Sequence, residues 1–179
     1  RCEQLEPQGD LNSVPVPDVM RGEETQVFGA MQALGQSDAW LVLPGTHSKW
    51  VRVQDARIQH FSTFMTGEIF ALLRQHSILA RTLPGEDADL DEAAFLRGVC
   101  RALASHRLLQ TAFSARTLAL FDQASPEQLR SYLSDLVIGE ELRVQTRLGI
   151  QHVVLIANAA LAQRYQLALA ECGVSCDHP

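Results

Sequence analysis

Residues 39–64, AWLVLPGTHSKWVRVQDARIQHFSTF, change their hydrophobic period twice and decide the fold. AWLVLP (39–44) is a continuous apolar run, as in a strand buried on both faces. KWVRVQ (49–54) and RIQHFSTF (57–64) alternate, the period of a half-buried strand. Gln54-Asp55-Ala56 is a short reversal. The stretch predicts an antiparallel meander of three strands. Between the first two lies PGTHSKW (44–50), a small, flexible turn carrying hydroxyls. Such a turn can simply reverse the chain, or its backbone amides can form a concavity that holds an anion.

Upstream, residues 21–34 read as a helix. Val27, Phe28, Met31 and Leu34 recur at helix spacing, and Glu23 and Glu24 sit in the first turn, where the macrodipole favours them. Residues 1–18 are polar and Pro-rich and read as loop. Downstream, TGEIFALLRQHSIL (66–79) is helical, with Thr66 as candidate cap and Ile69, Leu72, Leu73 and Leu79 as its apolar side. LPGEDA (83–88) breaks the chain. Helices follow at about 89–105, 107–121 and 126–148. Ser125 caps the last, Pro126 takes its first position and Glu127 its first turn. HVVLIA (152–157) reads as a buried parallel strand, AALAQRYQLALAEC as a helix stopped by Gly173, and VSC (174–176) as a further strand.

Composition narrows the class. Of 179 residues, 46% are hydrophobic and 20% charged, the balance of a globular chain with a substantial core. The formal net charge of −6 argues against general nucleic-acid binding. No apolar run is long enough for a spanning helix, so no membrane partner is expected. The cysteines, Cys2, Cys100, Cys172 and Cys176, form no C-x-x-C pair and read as reduced thiols of a cytoplasmic protein. The chain opens at Arg1 without Met or a signal-peptide pattern, as a piece of something longer would.

Three meandering strands, a helix, a helical insert, then strand, helix and strand imply a mixed sheet with right-handed crossovers onto its parallel part. That order is the ribonuclease H-like half-domain. The corresponding division is a lead-in over 1–20, a junction helix over 21–35 and a lobe over 36–179, with the insert at about 89–148.

Four segments in order, DVMRGEETQVFGA (18–30), LPGTHSKWV (43–51), FSTFMTGEIFALL (61–73) and LAQRYQLAL (161–169), resemble the 2-dehydro-3-deoxygalactonokinase family. That family belongs to the sugar kinase/heat-shock ATPase/actin superfamily. The resemblance spans about residues 18–176. It implies ATP-dependent phosphorylation of 2-dehydro-3-deoxy-D-galactonate at its 6-hydroxyl, in a cleft between two ribonuclease H-like lobes. It further implies magnesium on the nucleotide, with no direct protein ligand to the metal. The expected partners are the sugar acid and ATP, with homo-oligomerisation left open. Family members extend further at both ends, so this chain is expected to be the second lobe and its lead-in. Two alternatives stand beside it: a superfamily kinase for another sugar, and a non-catalytic nucleotide-binding module.

The resemblance also gives the residues roles. PGTHSKW falls where the superfamily keeps its second phosphate loop. Gly45 lets backbone approach a polyphosphate, Thr46 and Ser48 offer hydroxyls, and Lys49 adds charge unless it lies in the strand facing water. His47 reads as a turn residue beside the phosphate site. A Ser48/His47 hydrolase is disfavoured, because adjacent side chains rarely face one another and no acidic orienter is evident. Glu23 and Glu24 hold the place of the superfamily's catalytic Asp, with Glu23 preferred as base. The plainer use of both is dipole compensation. Arg21 suits a bidentate grip on a substrate carboxylate, or a salt bridge to a nearby Glu. Thr66, Gly67 and Glu68 suit nucleotide contact, or a capped helix start. Asn158 replaces the family's usual Gly against adenosine, where a left-handed backbone is expected. Trp40 and Trp50 read as core, Arg164 and Tyr165 as packing and surface pairing.

Overall fold

The computed structural model describes residues 16–83, 89–105 and 107–179. Cys2, the lead-in before residue 16 and the break expected at 84–88 lie outside them. The elements run α1 (Glu23–Leu34), β1 (Ala39–Leu43), β2 (Ser48–Gln54), β3 (Arg57–Phe64), α2 (Thr66–His76), a short 3-10 turn (Ile78–Arg81), α3 (Glu92–Ala104), α4 (Leu108–Leu120), α5 (Pro126–Thr146), β4 (His152–Leu155), α6 (Ala159–Glu171) and β5 (Ser175–Asp177).

The five strands form one sheet in the order β3-β2-β1-β4-β5. β1 and β2 are antiparallel through Leu41↔Val51 and Leu43↔Lys49, as are β2 and β3. β4 is parallel to β1 through Leu41↔Val154, and β5 is parallel to β4. The meander and the late parallel strands thus take the expected arrangement. The reversal at Asp55 and Ala56 has both residues left-handed, with φ of 50° and 56°. That is the turn whose twist matches a two-residue hairpin.

Strand alternation divides the core. Leu41, Leu43, Val51, Val53 and Val154 face α1, where Val27 and Met31 cover them. Val42, Trp50, Val153 and Leu155 face the opposite way, against Phe95 and Val99 of α3, Leu142 of α5 and Tyr165 and Leu169 of α6. Burial on both faces explains the near-continuous apolar run of β1. A separate core joins the helical insert through Leu79, Ala112, Ala115, Leu129, Leu133 and Leu136. Ser125 caps α5 by accepting from the Gln128 N–H, and Gln128 answers with a bond from the Ser125 N–H, completing a capping box.

Several expectations shift. Phe28 and Leu72, placed on apolar helix faces by spacing, are exposed. Met65, not Thr66, precedes α2, and Thr66 is its first residue. Trp50 is fully buried, while Trp40 is only half-buried and lies under the Arg52 guanidinium at 5.8 Å. Cys100, Cys172 and Cys176 are free thiols. Burial pushes the Cys172 thiol up to about 11, so it packs as a neutral group.

α3 and α5 cross closely at Gly98, where a Cβ would meet the Tyr132 carbonyl oxygen and lie 2.6 Å from Asp135 Cβ. Asp135 is fully buried in this contact, and neither carboxylate oxygen has a hydrogen-bond partner among the described residues. Burial pushes its carboxyl up to about 10, against the pull of Arg164. Asp135 is therefore a neutral acid at pH 7. A carboxyl raised from 3.8 unfolded to about 10 folded gives stability that is present below 3.8 and lost as pH rises through the folded value. Asp135→Asn removes this dependence. In urea unfolding, the stability of the wild type relative to Asp135→Asn should fall steadily from about pH 5 to about pH 9, with a limiting slope of about 1.4 kcal/mol per pH unit. A flat difference would mean that the folded carboxyl is already ionised.

Candidate functional site

β1 and β4 run parallel as neighbours, but their chains leave in opposite directions. β1 turns back into β2, and β4 runs on into α6. Outside their carboxyl ends a crevice opens, the position favoured for ligands in open α/β sheets. A cleft of about 580 Å³ lies there, walled by the 43–47 turn, the 156–158 turn, and Glu23 and Gln26 of α1. Glu23, Gly45, Thr46, His47 and Asn158, named separately from sequence, are brought together in its lining.

The 44–47 loop is held from three sides. From α2, the Glu68 N–H donates to the Thr46 carbonyl at 3.0 Å. Gly67 lies so close that a Cβ there would meet the Gly45 carbonyl oxygen and come within 2.8 Å of Thr46 Cα. The close approach suspected at Gly67 is thus to the loop's own backbone. Glu68 Oε2 and His47 Nε2 pair at 2.5 Å. From the α1 side, Lys49 Nζ lies 3.3 Å from Glu23 Oε1 and donates to the His47 carbonyl at 3.1 Å. Lys49 is buried, so it neither faces water nor projects into the cleft as a free charge. From the core, Ser48 Oγ donates to Glu141 Oε1 at 2.8 Å. Ser48 is fully buried, so its hydroxyl is directed inward and not toward a phosphate. His47 and Ser48 point to different partners, which removes the geometry a hydrolase would need.

What remains open to the cleft is backbone and one hydroxyl. Thr46 and His47 are exposed, and among the described residues their backbone N–H groups have no protein acceptor. Successive amides of this kind suit an anion. Glu23 sits opposite. Partial burial works to raise its carboxyl, but the N–H groups of Glu23 and Arg21 and the Lys49 ammonium outweigh it and hold the group below its ordinary value of 4.5. It is ionised at neutral pH.

Other candidates make contacts of their own. Glu24 accepts from the Gly22 N–H at 2.6 Å and lies outside the lining, as does exposed Arg21. That bond is the contact its plainer reading, at the helix start, calls for. Thr66 is buried, with its hydroxyl donating to Glu141. Asn158 is extended, with φ −69° and ψ 162°, and caps α6 by accepting from the Leu161 N–H at 3.0 Å. The left-handed turn expected there does not form, because Asn gains a cap bond in the extended conformation.

Glu141 was not singled out from sequence. It is fully buried on α5 and accepts from Ser48 Oγ, Trp50 Nε1 at 2.7 Å, Thr66 Oγ1 and Tyr165 Oη at 2.8 Å. Burial pushes the carboxyl above its ordinary value, and these four donors draw it only part of the way back. The available signal was its spacing. Glu141 follows Ile138 by one helical step and precedes Leu142, so it falls on the buried side of α5, where a carboxylate must find donors.

A family model described as 2-keto-3-deoxy-galactonokinase matches residues 9–178. The chain belongs to that family. It is 38% identical over 167 residues to a probable 2-dehydro-3-deoxygalactonokinase of Rhizobium meliloti strain 1021, covering 89% of this chain and 53% of the relative. It is 39% identical over 162 residues to the 2-dehydro-3-deoxygalactonokinase of Escherichia coli strain K12, with the same coverage. A crystal structure from Sinorhizobium meliloti, provisionally named for the same kinase, superposes with a TM-score of 0.85 at 36% identity. That match covers 91% of this chain and 54% of the other. The chain therefore spans about half the length of the curated kinases it matches. Among the described residues, no helix is long and apolar enough to cross a membrane.

The clamp on the loop makes Gly67→Ala informative. Ala is the better helix former by about 1 kcal/mol. The new Cβ must nevertheless displace backbone at Gly45 and Thr46, which costs more than that gain. We expect a net loss of about 1–2 kcal/mol in urea unfolding, with the largest amide shift changes at Thr46 and His47. Neutral or increased stability would remove the clamp.

Proposed function

We propose that the protein carrying this chain phosphorylates 2-dehydro-3-deoxy-D-galactonate at its 6-hydroxyl with ATP. In this reading the chain supplies the ATP-binding, C-terminal part of a two-lobed, ribonuclease H-like sugar kinase. Residues 1–20 lead in from a first lobe, 21–35 form the junction helix and 36–179 the second lobe. The observation that carries it is one cleft lined by Gly45, Thr46 and His47 together with Glu23, whose carboxyl is held below its ordinary value.

The chemistry follows from those two parts. The Thr46 and His47 amides and the Thr46 hydroxyl would hold a polyphosphate tail, with Gly45 letting the backbone come close. The space is adequate, since an added Cβ at Gly45 would meet no atom within 4 Å. Glu23 would accept a hydrogen bond from the sugar hydroxyl, orient it and take its proton. A carboxylate held below its ordinary value is a weak base, but phosphoryl transfer asks mainly for positioning and charge stabilisation. The N–H groups of Glu23 and Arg21, with Lys49 beside them, keep Glu23 ionised and in place. Glu24 would act on sugar or metal only through water.

In this reading magnesium would ride on the nucleotide's phosphates. When bound, it would neutralise phosphate charge.

In a coupled assay on the protein that contains this chain, Glu23→Gln should lower turnover at least about a hundredfold and leave ATP affinity within about twofold. Gly45→Ala with Thr46→Val should weaken ATP affinity by about tenfold or more. Across a panel of 2-keto-3-deoxy sugar acids, turnover with the galactonate-derived acid is expected. Turnover only with another acid would replace the substrate. ATP binding without turnover would replace the enzyme with a binding module. Wild-type kinetics in both variants would remove the site assignment.

A further inference from the structure

We propose that Glu141 is a positioning residue, which sets the 44–47 loop for nucleotide binding by holding both segments that bracket it. The inference rests on the kinase reading above.

Glu141 stands on α5, and its partners Ser48, Trp50 and Thr66 are 93, 91 and 75 residues away in the chain. Two of them adjoin the loop. Ser48 is the residue after His47 and opens β2. Thr66 opens α2, and the next two residues touch the loop backbone, Gly67 by close packing and Glu68 through its N–H to the Thr46 carbonyl. One buried carboxylate therefore fixes the exit of the loop and the helix start that lies against it. The remaining partner, Tyr165 on α6, draws on the same carboxylate but does not adjoin the loop.

A fully engaged acceptor suits this duty, because a buried network with every member satisfied holds one geometry. Trp50 Nε1–H can only donate, so the oxygen it shares with Ser48 must remain an acceptor. Both oxygens are thus engaged, Oε1 by Ser48 and Trp50 and Oε2 by Thr66 and Tyr165. Glu141 touches no part of the cleft lining, so its influence passes through Ser48 and Thr66.

The asymmetry among its partners provides the test. Thr66→Val and Tyr165→Phe each remove one hydroxyl donor to the same carboxylate, and each keeps the shape of a buried side chain. If Glu141 matters only to the fold, the two should behave alike. If it positions the loop, only Thr66→Val should disturb it. Two readouts separate the layers: amide hydrogen exchange at Glu68 without nucleotide, and affinity for a non-hydrolysable ATP analogue with magnesium, both on the protein that contains this chain. In Thr66→Val we expect Glu68 exchange faster by about tenfold and analogue affinity weaker by about tenfold, the effect of one strong hydrogen bond. Tyr165→Phe should stay within about twofold on both. Thr66→Ser restores the hydroxyl and should restore both readouts. Ser48→Ala, at the other bracket, should weaken analogue affinity in the same way. Equal responses in Thr66→Val and Tyr165→Phe, with normal wild-type binding, would overturn the role of Glu141 alone. A wild type that does not bind the analogue would overturn the kinase reading, and the nucleotide role of Glu141 with it.

Discussion

The parallel pairing of β1 with β4 is the constraint from which the site follows. Leu41 sits opposite Val154 and Val42 opposite Leu155, and the Ile156 N–H continues the ladder to the Val42 carbonyl. Because the two strands run the same way, both finish at the same edge of the sheet. The loop after β1 and the turn into α6 then have to face each other, although more than a hundred residues separate them in sequence. Their connections diverge, so nothing fills the space between them. An antiparallel β4 would deliver its carboxyl end to the opposite edge, and the crevice would lose one wall.

Alternation along β2 then ties the loop to the helices on both faces of the sheet. Ser48 and Lys49 are consecutive, so their side chains leave on opposite faces. Ser48 reaches the carboxylate of Glu141 on one side of the sheet, and Lys49 reaches Glu23 on the other. Both side chains are polar and buried, which is costly unless each is partnered. Each partner is a carboxylate. The combination anchors the end of the loop without using its amides or the Thr46 hydroxyl.

Much of this was legible in the sequence, and the exceptions have physical reasons. Element types follow from period, because β1 is apolar throughout, β3 alternates, and Ser125 with Pro126 announces a helix. The loop and Glu23 were readable as site residues, since Gly, Thr and an acidic helix start suit that chemistry. Ser48, Thr66 and Gly67 were misplaced for one shared reason. Hydroxyls and glycines suit a ligand and a tightly packed backbone equally well, and only the fold shows which is present. Asn158 was misread because its side chain competes for a cap bond, which favours an extended backbone over a left-handed one. Glu141 was hidden because periodicity assigns a face to a residue but does not say what waits on it. Its donors come from three other elements.

The long spans from Glu141 to its partners bear on the order in which the fold is built. The meander and the first turn of α2 are made before α5 in synthesis, and the carboxylate that braces them lies some 75 to 93 residues downstream. Contacts of such separation close late, because loop-closure entropy is met before they give any return. A nascent chain released before α5 has emerged would hold β1, β2 and β3 with an unbraced hairpin tip. Competence to grip a ligand would then appear in one step with the docking of α5, and partly made chains would be kept from premature engagement.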